Sequence, residues 1–152
     1  MNLKRQPIVY RQCLEGEFDS VYFIINEAAS AYKGQIPEEH LTDPYMSRQE
    51  FRDEIAAGVE FWGYEVHDAL RGVMGIQRSQ DVVLIRHAYT RSEFQGQGIG
   101  GGLLKYLLAK TSRPVLIGTW AGLARTIDFY RGHGVNVVPP ETIGPLLRKY
   151  WQ

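Results

Sequence analysis

Residues 95–104 read Gln-Gly-Gln-Gly-Ile-Gly-Gly-Gly-Leu-Leu, directly after the apolar run 82–90 (VVLIRHAYT) and directly before a helical pattern reaching about Lys110. Each glycine inside a helix costs about 0.8–1 kcal/mol relative to alanine. This helix nevertheless opens on Gly98, Gly100, Gly101 and Gly102, and no Asp, Glu or Ser serves its first turn. A segment that only had to be helical would not begin so. What the glycines provide is bare backbone, because the first N–H groups of a helix lack intrahelical acceptors and sit at the positive end of its dipole. Such a terminus binds phosphate. The segment therefore dictates a strand, a close glycine turn and a helix whose N-terminus holds an anion.

Three phosphate-binding patterns compete for such a turn. The P-loop form ends in Gly-Lys-Ser/Thr, whereas these glycines run into Leu103-Leu104-Lys105. The dinucleotide form Gly-x-Gly-x-x-Gly is literally present from Gly96 to Gly101, but it belongs in an early βαβ unit with an acid about 20 residues on. Residues 115–121 (VLIGTWA) contain no acid. The third pattern, Gln95-x-x-Gly98-x-Gly100 after a strand, depends on the elements around it.

Upstream the chain has an antiparallel texture. Residues 8–14 read as a short strand after Pro7. Asp19 or Ser20 caps a helix through about Tyr32, with Val21, Ile24, Ile25 and Ala28 on one face. Residues 35–46 hold two prolines and form a loop, and Ser47 with Glu50 makes a capping box for a helix that stops at Gly58. Residues 60–67 alternate, with Trp62, Tyr64 and Val66 on one side. Turns at His67-Asp68-Ala69 and Ser79-Gln80-Asp81 join three strands into a meander. Downstream, Arg113-Pro114 precede VLIGTW, which reads as a strand buried on both faces. A helix over about 122–131 and a strand VNVV at 135–138 complete a parallel crossover. The expected fold is α+β: a single domain over 1–152 with a mixed sheet of about six to seven strands, antiparallel first and parallel later, and helices on both faces. PPETIGPLLRKYWQ then reads as a short helix with no final strand, and an open sheet edge favours a homodimer.

Composition closes off several classes. With 44% hydrophobic and 22% charged residues in 152, the chain is an ordinary globular domain, not a disordered one. One cysteine, Cys13, excludes an internal disulfide framework, and four scattered histidines give no metal pattern. No apolar run approaches the ~20 residues of a membrane span, and the N-terminus has no signal-peptide core, so a cytoplasmic protein is expected. The net charge of zero argues against a nucleic-acid partner. That zero is split: residues 1–68 hold 13 Asp/Glu against 6 Lys/Arg, and residues 69–152 hold 4 against 11. The functional reading of the split is an anionic ligand on the second half and a cationic one near the first.

Gln95-x-x-Gly98-x-Gly100 resembles the Gln/Arg-x-x-Gly-x-Gly/Ala signature of the GNAT superfamily of acyl-CoA-dependent N-acetyltransferases. Ile127-Asp128-Phe129-Tyr130-Arg131-Gly132-His133-Gly134-Val135 resembles its later motif, a helix carrying Phe-Tyr, and the element order agrees over nearly the whole chain. The resemblance implies acetyl transfer from acetyl-CoA to a primary amine of a small molecule or peptide, by direct attack and without a metal. It implies that Ala88, Tyr89 and Thr90 bond the pantetheine arm through their backbone, with Gln95 at the first position of the signature. The pyrophosphate then lies on the amides of Gly96, Gln97, Gly98, Ile99, Gly100 and Gly101. Tyr130 matches the family's general acid toward the departing thiolate; a phenol near pKa 10 can protonate a thiol near 8.5.

The remaining roles are read from the residues. Alternation puts Leu84, Arg86 and Ala88 on one face of the fourth strand and Ile85, His87 and Tyr89 on the other. His87 is the candidate base, its imidazole suited by intrinsic pKa. Arg86 is the candidate to orient a substrate carboxylate. Trp62, Tyr64 and Trp120 are candidates to wall the acceptor pocket, with core packing as the alternative. Two other functions stay open at this level: an acyl-CoA-binding module without turnover, and a dinucleotide-binding oxidoreductase domain.

Overall fold

The computed structural model describes residues 7–32, 38–40, 43–118 and 124–151. One sheet runs in the order β1 (Ile8–Gln12), β2 (Glu60–Val66), β3 (Ala69–Ser79), β4 (Val82–Thr90), β5 (Val115–Ile117). The first four strands pair antiparallel and β5 joins β4 in parallel. The helices are α1 (Phe18–Ala28), α2 (Arg48–Ala56), α3 (Ile99–Leu108), α4 (Ala124–Gly132) and α5 (Pro140–Tyr150).

The meander follows from its turns. His67 and Asp68 take φ of 53° and 60°, the left-handed pair that a two-residue hairpin requires. Helix α2 starts as its sequence dictates, with the Ser47 hydroxyl accepting the Glu50 N–H at 3.1 Å. The N-cap of helix α1 is Glu17, two residues before Asp19 and three before Ser20, the expected caps. Glu17, gripped by Arg11 at 2.6 Å, accepts the Leu14 N–H at 2.8 Å and organises the preceding turn. α1 ends at Ala28, and a tighter 3-10 turn carries the chain on through Tyr32.

The sheet has five strands among the described residues, fewer than the six to seven expected. Residues 135–138 form no strand, because Pro139-Pro140 lack the N–H groups of a ladder and Pro140 opens α5 instead. Strand β5 is short and half-buried rather than enclosed. Trp151 covers the ground beyond it, within 3.4 Å of where a Cβ on Gly118 would stand.

Each sheet face has its own core. Val21, Ile24, Ile25 and Phe51 from α1 and α2 meet Phe61, Val73 and Tyr89. On the other face, Leu103, Leu104 and Leu107 of α3 and Tyr130 of α4 meet Met74, Val83 and Ile85. Leu103 and Leu104 are at most 1% exposed, and burial of each contributes roughly 1.5–3 kcal/mol. That packing fixes the start of α3, and so the glycine turn, relative to the end of β4.

Candidate active site

Strand β4 loses its outer neighbour half-way along. Pairing with β5 covers Val83↔Val115, Leu84↔Leu116 and Ile85↔Ile117 only. Ala88, Tyr89 and Thr90 keep β3 on one side, opposite Met74, Val73 and Gly72. On the other side they have no strand among the described residues. An open edge of this kind offers backbone donors and acceptors to an extended ligand.

The open edge leads into the glycine turn. Gln95 Nε2 donates to the Thr90 carbonyl at 3.3 Å and ties turn to strand. Gly96 and Gly98 take φ of +78° and +81°, and a Cβ added to either would meet nothing within 4 Å. The backbone there is strained for any other residue and open to close approach. Gly98 is the N-cap of α3, and the Gly102 N–H makes the first helical bond to its carbonyl at 2.9 Å. The amides of Ile99, Gly100 and Gly101 are thereby left without intrahelical acceptors.

Not every glycine serves that opening. A Cβ on Gly101 would stand 2.9 Å from His133 Nε2, and one on Gly102 would overlap the Tyr10 hydroxyl. These two let the neighbouring side chains pack against α3. Left-handed backbone and open space thus set Gly96 and Gly98 apart from Gly101 and Gly102, which close packing accounts for.

Turn, β4 end, β5, α4 and α5 enclose a cleft of about 1120 Å³. Its wall includes Arg86, His87, Ala88, Tyr89, Thr90, Gln95, Gly96, Gly98, Ile99, Gly100, Gly101 and Tyr130; Gln97 is absent from it. Tyr130 is 8% exposed, and no hydrogen bond acts on its hydroxyl among the described residues. Burial pushes its pKa up to about 12, so at neutral pH it is a protonated donor facing a cleft.

A bulge rearranges the face of β4. Gly75 pairs with His87 and the next residue, Ile76, with Ile85, leaving Arg86 as the extra residue. His87 and Tyr89, expected beside Ile85, are thereby turned to the α1–α2 face, and Ala88 takes the α3 face instead. Arg86 and His87 now share a face and a partner. Glu54 Oε2 lies 3.2 Å from His87 Nε2 and 3.4 Å from Arg86 Nε. These contacts, His87 first, hold the Glu54 carboxyl below the usual carboxylate range against the opposing effect of its burial. Arg86 Nη1 also donates to Gln77 Oε1 at 3.2 Å.

This geometry details one expectation and corrects another. His87 stands in the cleft wall with Nε2 bonded to Glu54 and Nδ1 buried without a partner, so the carboxylate holds the Nε2 proton and Nδ1 carries the lone pair. Trp62 and Tyr64 lie on the α3 face, Trp62 5.9 Å from Tyr106 and Tyr64 5.5 Å from Tyr10, and neither lines the cleft. Trp120 lies outside the described residues. No motif in the sequence singles out Glu54. The available signal was its place three residues after the buried Phe51, hence on the inward face of α2.

A family model for the acetyltransferase (GNAT) domain matches residues 16–140. The chain belongs to the GNAT acetyltransferase family. No curated protein is significantly similar in sequence, but solved structures share the fold. The PaiA N-acetyltransferase from Thermoplasma acidophilum, in complex with coenzyme A, is 17% identical with a TM-score of 0.72 over 87% of this chain and 91% of its own. The ribosomal-protein alanine N-acetyltransferase from Escherichia coli is 16% identical with a TM-score of 0.71, over 88% and 80%. A GNAT family acetyltransferase from Elizabethkingia anophelis with acetyl-CoA bound is 19% identical with a TM-score of 0.62, over 87% and 78%. In this GNAT domain, α5 stands where the sequence reading found no final strand. No helix among the described residues is long and apolar enough to cross a membrane.

Proposed function

We propose that this GNAT domain transfers the acetyl group of acetyl-CoA to a primary amine of a small molecule or peptide. The observation that carries the reading is the continuity of two ligand-ready surfaces. Past Ile85, β4 has no outer strand among the described residues, which suits an amide-bearing arm, and Gln95 joins that stretch to the bare amides of Ile99, Gly100 and Gly101, which suit a diphosphate. The absence of side chains at Gly96 and Gly98 leaves the room that a diphosphate requires.

Acetyl-CoA supplies the activated thioester. The amine nitrogen attacks its carbonyl carbon, the carbon–sulfur bond breaks, the nitrogen's proton passes to water in the cleft, and Tyr130 delivers a proton to the sulfur. Solvent then restores the phenol. Tyr130 is placed for the step by its position in the cleft wall, and it holds its proton throughout the neutral range, as an unshifted phenol also would. One observation favours a second reading, binding without turnover: Nδ1 of His87, the nitrogen left to act as a base, is buried.

Calorimetric titration with acetyl-CoA, CoA and NAD tests the ligand. The reading requires saturable binding of the first two and none of NAD. Binding of NAD in preference to CoA would return the turn to the dinucleotide class.

A further inference from the structure

The cluster beneath the β4 bulge is not used by the chemistry at the thioester. Arg86, His87 and Glu54 have side chains 21%, 11% and 24% exposed, and Arg86 and His87 wall the cleft while Glu54 and Gln77 do not. The guanidinium is thus held from outside the cleft, at Nε by Glu54 and at Nη1 by Gln77. Its Nη2 has no partner among the described residues. A planar fork fixed at two nitrogens loses little further freedom when it binds a carboxylate.

The rest of the wall agrees. Among the described residues its charged groups are Arg86 and Arg131, with His87 beside them, and it contains no Asp or Glu. Among the described residues of the wall a substrate ammonium finds no carboxylate, whereas a substrate carboxylate finds Arg86. The same cleft exposes apolar surface from α5 and the segment before it: Val137, Ile143 and Leu147 are 57%, 44% and 45% exposed. Such residues suit the body of a ligand rather than its charge.

We propose, on the acetyl-transfer reading of this cleft, that the acceptor is an amine that also carries a carboxylate and an apolar body. Arg86 binds the carboxylate. Glu54 and Gln77 are positioning residues that aim the guanidinium, and Ile143 and Leu147 receive the apolar part.

The test uses a matched set: leucine, leucinamide and 3-methylbutylamine, each with saturating acetyl-CoA. The wild-type protein is expected to favour leucine over both others in kcat/KM. Arg86→Gln is expected to reduce that preference by about 10–100-fold, the usual range for losing a charged hydrogen bond, and Arg86→Lys to restore part of it. Glu54→Gln is expected to raise KM for leucine with a smaller change in kcat, and to shift the leucine-to-leucinamide ratio, which a purely structural role would not move. A wild-type preference for the amide or the plain amine overturns the proposal, as does an Arg86→Gln loss equal for all three. If no amine turns over, it is the acetyl-transfer reading that fails. Calorimetry of leucine against the CoA-loaded protein then decides this proposal by itself, because it requires binding that Arg86→Gln abolishes and is overturned by none.

Discussion

Replacing Gly100 by Asp separates folding from ligand binding at the glycine turn. A Cβ at this position would stand 3.5 Å from Phe129 Cζ, ordinary contact, and Gly100 is not among the residues with positive φ. The substitution therefore fits the backbone and its neighbours. Leaving glycine in a helix gains about 0.3 kcal/mol for Asp, and an acid in the first turn gains about 0.3–1 kcal/mol more from the dipole. The variant is expected to be as stable as the parent or more so, with Tm unchanged to about 4 °C higher. Ligand binding goes the other way. A carboxylate about 5 Å from one phosphate charge, at an effective dielectric of about 20, costs about 3 kcal/mol. That is about two decades in Kd for CoA. Calorimetric titration with CoA, beside differential scanning calorimetry, measures both quantities, and Gly100→Asn separates charge from size. An unchanged CoA affinity, or a Tm lowered by more than about 5 °C, would refute the reasoning.

Gly98→Ala is expected to cost about 1–2 kcal/mol of stability, read by denaturant unfolding, because φ of +81° is left-handed while no neighbour crowds the added Cβ. Tyr130→Phe is expected to lower kcat by about 10²–10³ with acetyl-CoA affinity and Tm nearly unchanged, since the hydroxyl has no partner to lose. Because burial raises the Tyr130 pKa from 10.0 to about 12, its contribution to stability is full below pH 10 and is lost as pH rises toward 12; urea midpoints across that window should fall less steeply in Tyr130→Phe. Glu17 and Glu54 titrate below the usual carboxylate range, Glu17 chiefly through its bond to Arg11 and Glu54 through His87. Their contribution is present above that range and lost as the pH falls through their lowered values, so acid unfolding of Arg11→Ala should begin at higher pH than in the parent.

What the sequence disclosed is what depends on local rules. Ser47 and Glu50 announced α2, the turn at His67-Asp68-Ala69 announced the hairpin, and Gln95 to Gly100 announced the glycine turn, because capping, turn chemistry and bare helix termini act within a few residues. What stayed hidden depends on distance. The extra residue Arg86 is defined only by the partner strand β3, and it alone decides that His87 faces α2 rather than α3. Glu54 meets His87 across 33 residues of chain. Alternation correctly put Trp62 and Tyr64 on one face of β2, yet gave no sign that Tyr10 and Tyr106 already cover that face. The segment 135–138 is β-branched and reads as a strand on propensity, but Pro139-Pro140 direct it into α5.

The most direct measurement of the central claim is single-turnover mixing of the protein with acetyl-CoA and a panel of primary amines, following free CoA thiol and the N-acetylated product by mass spectrometry. The account predicts amine-dependent CoA release that matches product mole for mole in the wild type and slows by about 10²–10³ in Tyr130→Phe. Acetyl-CoA that binds but stays intact with every amine would contradict it and leave a binding module in its place.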